Sequence, residues 1–126
     1  MTEPSEVNEA TLRVDGAELL GPVLGRVVGM LAARAQAPID RLDDALLLTD
    51  AVAAHAPGQA VDGHVTVEVR ADRGGLQLRV SSLRSGGAAA LLASAALPGV
   101  GNVLEHVADH VRSEGDELHL ALTFRP

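Results

Sequence analysis

The chain has 126 residues and a formal net charge of -7, and 47% of its residues are hydrophobic, which predicts a single domain with a core of its own. It contains no cysteine, tryptophan or tyrosine and no lysine, and Phe124 is its one phenylalanine. These absences exclude thiolate chemistry, Schiff bases and Walker-type phosphate loops, and with the acidic charge they argue against nucleic-acid binding.

The hydropathy of the sequence and its first residues indicate where in the cell the protein is expected. No apolar run approaches the roughly 18 residues that span a bilayer. The acidic, polar start differs from a secretory signal. We therefore expect a cytoplasmic protein without a membrane partner, in which residues 1–8 form a flexible tail and residues 9–126 form one domain. An acidic surface suits a basic protein partner.

The first third of the domain predicts a strand and a helix. Residues 9–14 alternate weakly and suit a strand. A helix is expected over residues 18–36, becoming regular near Gly21 because Pro22 suits a first turn. Gly25 and Gly29 either allow a close contact or mark a weakly optimised helix. The apolar positions expected on one face of this helix are Leu20, Val23, Leu24, Val27, Met30 and Leu31.

A second helix is predicted over residues 40–56. Asp40 is expected to cap it, and Pro57 follows it as a stop signal. Asp50 interrupts the segment as a carboxylate among apolar residues, and its simplest interpretation is a place on the solvated flank. The apolar face is expected to comprise Leu42, Ala45, Leu46, Thr49, Val52, Ala53 and Ala56.

The second half predicts strands and two further helices. Residues 64–70 and 76–80 alternate strictly and form a hairpin. The elements expected after them are a polar loop at 81–87, a short apolar helix at 88–97, a helix from about 102 to 112 and a last strand at 117–124. Together these elements predict a two-layer α+β sandwich, with a mixed, mainly antiparallel sheet and helices on one face.

Three local motifs follow this order of elements. Leu46 to Ala56 reads Leu-Leu-Leu-Thr-Asp-Ala-Val-Ala-Ala-His-Ala, and Val80 to Gly86 reads Val-Ser-Ser-Leu-Arg-Ser-Gly. Gly99-Val-Gly101 leads into Asn-Val-Leu-Glu-His-Val-Ala-Asp-His-Val. The chain resembles the GHKL (Bergerat) ATPase domain in these motifs, and more closely the small anti-sigma factor serine kinases of bacterial partner-switching systems. The resemblance implies a Bergerat-like fold with a site for ATP and Mg²⁺.

The same resemblance assigns the nucleotide site to particular positions. Asp50 matches the magnesium-binding asparagine, and Ser82 matches the aspartate that reads adenine. Gly86, Gly99 and Gly101 match glycines of the nucleotide-binding turns. Leu46 falls on the general base, and leucine accepts no proton.

These departures fall on the residues that carry the chemistry. Phosphoryl transfer needs several groups acting together. We therefore expect no catalytic residue, a vestigial nucleotide site at the five positions and no cofactor, with Asp50 a metal ligand only where magnesium-nucleotide binds.

The segment that matches the family's lid, residues 87–97, is apolar and uncharged. It can fold down into an empty nucleotide cleft or serve as a docking surface for a protein.

Two other constellations are weaker. His106 and His110 lie four apart on the predicted last helix, a spacing that suits zinc, although the solvent face of that helix explains them more simply. A hydrolase triad drawn from Ser81 or Ser82, His55 and Asp50 has no supporting motif.

The resemblance implies a regulatory protein. We expect an anti-sigma-factor-like pseudokinase that binds a sigma factor, a STAS-domain anti-anti-sigma protein or both. It also implies a homodimer formed through the first strand and first helix, with contributions from Leu20, Val23 and Val27. The alternatives are an active ATP-dependent serine kinase that phosphorylates a STAS-domain antagonist, and a structural homodimer module.

Overall fold

The structure, a computed structural model, describes residues 7–124, so most of the predicted tail (residues 1–6) lies outside the described residues, as do residues 125–126. The strands are β1 (Asn8–Asp15), β2 (His64–Asp72), β3 (Gly75–Ser81), β4 (Ala96–Leu97), β5 (Gly101–Asn102), β6 (His110–Glu114) and β7 (Glu117–Thr123). The helices are α1 (Ala17–Arg34), α2 (Ile39–His55), α3 (Gly87–Ser94) and α4 (Val103–Val107), with a one-turn 3-10 helix at Pro57–Gln59.

The main sheet has five strands in the order β1-β2-β3-β7-β6, and each neighbouring pair is antiparallel. β4 and β5 form a separate small hairpin. The helices lie on one face of the main sheet, where α1 contacts β1 and β2 and α3 contacts β6 and β7. This arrangement confirms the predicted α+β sandwich.

Strict alternation in the strands decides which face is buried. Alternate residues of β2, β3 and β7 are buried under the helices, as a period of two requires. Each fully buried leucine or valine contributes about 1.5–3 kcal/mol relative to the exposed side chain. The inward-facing residues of these strands are Val65, Val67, Val69, Leu76, Leu78, Val80, Leu118, Leu120 and Leu122.

Helices α1 and α2 pack against each other with small residues at the contact. A Cβ placed on Gly21 would lie 3.5 Å from the Ala53 Cβ, and one on Gly25 would lie 3.9 Å from the Thr49 Cγ2. Both are ordinary van der Waals distances, and nothing lies within 4 Å of a Cβ on Gly29. The space therefore favours the interpretation of a weakly optimised helix.

Three details of the first two helices differ from the prediction. α1 is already regular from Ala17, whereas the prediction began the helix at residue 18 and made it regular only near Gly21. Pro22 removes only one backbone hydrogen bond in the N-terminal part of the helix. Val23 is 37% exposed and Met30 is 55% exposed, since Val28 and Ala32 take the buried positions. α2 begins at Ile39, so its N-cap is a proline with no side-chain cap bond, and Asp40 does not cap it.

The predicted last helix is wrong beyond residue 107. α4 ends at Val107, and residues 110–114 form the edge strand β6, paired to β7 from His110–Ala121 to Glu114–Glu117. Val111 fits either structure, and pairing with a neighbouring strand overrides the helical period. Val100, which precedes this helix, is 66% exposed at the tip of the β4–β5 hairpin.

Candidate functional site

Two of the predicted nucleotide-site positions lie in the loop between β3 and α3. Ser82 adopts the left-handed conformation, with φ 61°, and its Oγ lies 2.9 Å from the Thr66 Oγ1. Gly86 precedes α3 with φ 76°, where an L side chain would be strained. Ser82 therefore serves a local turn, with its hydroxyl engaged by the neighbouring strand.

The other two glycines lie in the β4–β5 hairpin. Gly99 has φ 77° and Gly101 has φ 101°. A Cβ on Gly101 would meet the His106 Nε2 at 2.6 Å, so the glycine permits the imidazole of α4 to lie against the hairpin. Both glycines are thus explained by backbone geometry.

Hydrogen bonds attach the β3–α3 loop to the chain that follows α2. The Val61 amide donates to the Ser82 carbonyl at 2.8 Å, and the Arg84 amide donates to the Gln59 carbonyl at 2.9 Å. The Arg84 guanidinium also donates to the Gln59 side chain at 3.1 Å. The loop that contains Ser82 and Gly86 therefore lies beside the C-terminal end of α2.

Asp50 stands apart from these residues. It is exposed on the outward side of α2. Among the hydrogen bonds and ion pairs of residues 7–124, none joins Asp50 to Ser82, Gly86 or either hairpin glycine. The simple interpretation of Asp50 as a solvated helix residue therefore agrees with its position.

The segment predicted as a lid is packed onto the rest of the protein. Ala88 and Leu91 of α3 and Leu104 of α4 are fully buried in the same core as Leu48 and Val52 of α2. α3 contacts α2 and the 3-10 helix, and α4 also contacts α2. Leu46, at the position of the lost base, is partly buried. Apolar side chains thus occupy the space between α2 and the lid.

Asn102 joins the lid to the β4–β5 hairpin and to α4 through three hydrogen bonds. Its Nδ2 donates to the Leu92 carbonyl at 2.6 Å. Its Oδ1 accepts from the amides of Leu104 at 3.0 Å and Glu105 at 3.2 Å, which caps α4. One side chain therefore holds α3, the hairpin and α4 in a fixed relation.

The β4–β5 hairpin continues the lid, which is therefore taken as residues 87–102, and the outer surface of this segment is exposed and uncharged. Two large apolar side chains of the hairpin are exposed, Leu97 by 46% and Val100 by 66%. Ala89, Ala90 and Ala93 of α3 are also exposed. The lid therefore buries one side in the core and presents a second apolar side to solvent.

The weaker constellations do not assemble. His106 lies in α4, whereas His110 begins β6, so they do not share a helix face. Within residues 7–124, no three histidine, aspartate or glutamate side chains form a group able to hold a metal ion. No described hydrogen bond connects Ser81 or Ser82 with His55.

A concave surface that the sequence reasoning missed lies on the face of the main sheet opposite the helices. It encloses a cavity of about 550 Å³. The alternating polar residues of β2 and β3 were the signal that could have revealed it. The residues that line it come from all five strands: Glu9, Ala10, Thr11, Glu68, Val69, Arg70, Gln77, Leu78, Arg79, His110, Arg112, His119, Leu120 and Ala121.

Ion pairs run across this open face. Arg70 lies 3.6 Å from Glu9, and Arg79 pairs with Glu68. Arg112 lies 3.2 Å from Glu114 at the edge of the sheet. All six side chains of these three pairs are more than 40% exposed, so each pair contributes about 0–1 kcal/mol to stability.

His119 lies near the middle of the open face. Its Nε2 is 3.3 Å from the Glu117 Oε1, within the range of an ion pair. The same atom is buried and makes no hydrogen bond to the described residues, so the geometry of that contact is poor. The imidazole is held by proximity to the carboxylate without a directed bond.

None of the helices in residues 7–124 combines the length and the apolar character needed to cross a membrane. Comparison with models of known protein families and with curated proteins gives no match to this chain.

Proposed function

We propose that this chain is an anti-sigma-factor-like regulatory protein of the cytoplasm, a GHKL-type pseudokinase that acts by binding other proteins. The proposal combines the motif resemblance with the absence of a base at Leu46 and of the adenine-reading carboxylate at Ser82. Its partners would be a sigma factor, a STAS-domain anti-anti-sigma protein or both, with no nucleic acid and no cofactor.

The observation that carries the proposal is the packing of the lid. Nucleotide binding in a Bergerat-like site would require space between α2 and the lid. Leu91 and Leu104 are fully buried there, and a triphosphate would have to displace them. Exposing one such leucine costs about 1.5–3 kcal/mol. The closed apolar arrangement supports protein binding over phosphoryl transfer.

Calorimetry with ATP and Mg²⁺ tests the loss of nucleotide binding. We expect no saturable heat at protein concentrations that detect micromolar affinity. Asp50→Ala provides the control, because Asp50 is exposed and its removal should leave the fold intact. Tight binding that Asp50→Ala abolishes would overturn the pseudokinase proposal and favour the active serine kinase with magnesium on Asp50.

The exposed side of the lid is the proposed protein-binding surface. Leu97 and Val100 present apolar area that makes no contribution to the core. We expect Leu97→Glu with Val100→Glu to reduce recovery of a sigma factor or STAS protein in affinity purification from native lysate. Ala54→Glu on the outer side of α2 is a control with equal added charge per substitution. Recovery of neither protein class by the unaltered chain contradicts the proposal and leaves the structural dimer module.

The proposal includes a homodimer, but the residues of α1 proposed at its interface differ from those expected from the sequence. Leu20 is 1% exposed and therefore unable to contribute, whereas Leu19 and Met30 join Val23 on the outer side of α1. Val27 is partly buried. These exposed side chains lie on a helix that contacts β1, an edge strand of the main sheet. An edge strand with an apolar helix beside it suits pairing with a second copy.

The sequence of β1 is complementary to itself in one antiparallel register. When Thr11 faces the second copy's Thr11, Glu9 falls opposite the second copy's Arg13, and the pair occurs twice. Opposite charges at such positions contribute about 0.2–1 kcal/mol each. We expect Arg13→Glu to weaken the dimer in light scattering and Glu9→Arg with Arg13→Glu to restore it. A monomer at all concentrations, or no effect of Arg13→Glu, counts against this interface.

A further inference from the structure

The open face of the main sheet places three nitrogen-bearing side chains in a row. Arg79 of β3 faces His119 of β7, and His119 faces Arg112 of β6. Directly opposed residues on one face lie about 4.5–5.5 Å apart at Cβ. Two arginines therefore flank one imidazole on this face of the sheet.

The next row along the strands supplies a small floor and a second imidazole. His110 of β6 faces Ala121 of β7, and Ala121 faces Gln77 of β3. Ala121 carries only a methyl group between long polar neighbours, so the surface is depressed at this point. Both rows line the 550 Å³ cavity.

The lining residues from three of the strands include two arginines and two histidines. The side chains that β3, β6 and β7 contribute to the lining include Arg79, Arg112, His110 and His119 and no carboxylate. The two glutamates of the lining belong to β1 and β2. Three carboxylates lie against these basic groups. Glu68 pairs with Arg79, Glu114 lies 3.2 Å from Arg112 and Glu117 lies 3.3 Å from His119, so a bound anion would compete with them.

The existing ion pairs leave the arginines available. Arg79 is 44% exposed in its pair with Glu68, and Arg112 is 64% exposed in its pair with Glu114. Exposed pairs of this kind are weak. An anion that receives hydrogen bonds from both guanidinium groups at once forms stronger, charge-assisted contacts.

We propose that the depression around Ala121 binds a small dianion of the phosphomonoester class, held by Arg79 and Arg112 above His119. A phosphate group carries about two negative charges at neutral pH and offers three acceptor oxygens. Guanidinium groups match its geometry better than a single ammonium does. The site lies on the face opposite the lid, so it stands independently of the function proposed above.

Titration of the full chain with inorganic phosphate and with glycerol phosphate, followed by backbone amide shifts, tests the site. We expect saturable shifts at His119, Ala121 and Arg112 at constant ionic strength, and weaker shifts with acetate. Arg79→Gln with Arg112→Gln should weaken binding by at least about tenfold, as expected for the loss of charge-assisted bonds. Arg73→Gln is the control, because Arg73 is exposed in the turn after β2 and lies outside the cavity lining.

Three outcomes would overturn the proposal. These are shifts that sodium chloride reproduces at equal ionic strength, shifts that never saturate, and equal weakening of phosphate binding by Arg73→Gln and by the double variant. Unchanged amide spectra of the variants without ligand establish that they fold. Tighter binding of glycerol phosphate than of inorganic phosphate would identify the ester as the preferred ligand, and the reverse would identify free phosphate.

Discussion

The Asp109 carboxylate accepts two hydrogen bonds from Thr123, from its amide at 2.7 Å and from its hydroxyl at 2.9 Å. These bonds join the start of β6 to the end of β7. Arg41 of α2 lies 3.9 Å from the same carboxylate. The two Thr123 bonds are the main reason that the pKa of Asp109 lies below its ordinary value, and Arg41 and His110 lower it further against a small effect of burial.

Asp109→Ala should lower the free energy of unfolding by about 1 kcal/mol at neutral pH, because two bonds to a charged acceptor at an exposed site are lost. The folded-state pKa is lowered, so this stabilisation is present above the unfolded pKa of about 3.9 and disappears as the pH falls through the folded value. Urea unfolding of the unaltered chain and of Asp109→Ala, between neutral and acidic pH, measures this difference in the free energy of unfolding. A difference that persists below the folded pKa contradicts this account, and Asp116→Ala is the control.

Leu91→Ala should destabilise the protein by about 2–5 kcal/mol, because it leaves a cavity at a fully buried position in α3. Leu97→Ala on the exposed side of the lid should change stability by less than about 0.5 kcal/mol. Chemical unfolding compares the two variants directly. Equal, small effects would show that the lid is not part of the cooperative fold, and would weaken the proposed function.

Gly29→Ala should stabilise the protein by about 0.5–1 kcal/mol, because alanine favours a helix and nothing lies within 4 Å of the added Cβ. Gly16→Ala should destabilise the protein, because Gly16 has φ 96°, a conformation that an alanine rarely adopts. Thermal unfolding monitored by far-UV circular dichroism measures both. If Gly29→Ala is destabilising, this glycine makes a contact that the monomer does not contain, as in the proposed dimer.

Gly75→Ala should destabilise the sheet by roughly 2 kcal/mol or more. A Cβ there would collide with the Leu122 carbonyl oxygen of β7, and backbone has little freedom to move away. Gly58→Ala has open space and serves as the control. Calorimetric unfolding enthalpies and midpoints for the two variants check this expectation, which fails if both are equally stable.

Much of the fold could be predicted because its signals are local. The alternation in residues 64–80 and 117–124 fixes the strands and their buried faces, and α2 is one residue from its predicted start. The failure at residues 108–112 has a different cause. The spacing of Val107 and Val111 fits a helix. The conformation is instead set by backbone pairing with the edge of β7, which the local sequence pattern does not reveal.

The candidate sites were less accessible from sequence. The glycines of the hairpin were identified, but their role against His106 depends on a contact between elements. The row of Arg79, His119 and Arg112 joins residues that are up to 40 positions apart and requires the strand order β3-β7-β6. Periodicity shows which side of a strand a residue occupies, and it does not show which strand is its neighbour.

The position of β7 in the sheet has a consequence for how the protein folds. β7 follows its two neighbours in sequence, yet it lies between them, with β3 on one side and β6 on the other. During synthesis, β1, β2 and β3 can pair as soon as they emerge, whereas β6 has no partner until residues 117–123 arrive. We expect the nascent chain to leave the apolar, sheet-facing sides of α3 and α4 partly exposed until β7 is synthesised. Aggregation would compete with folding at the step in which β7 pairs with β3 and β6.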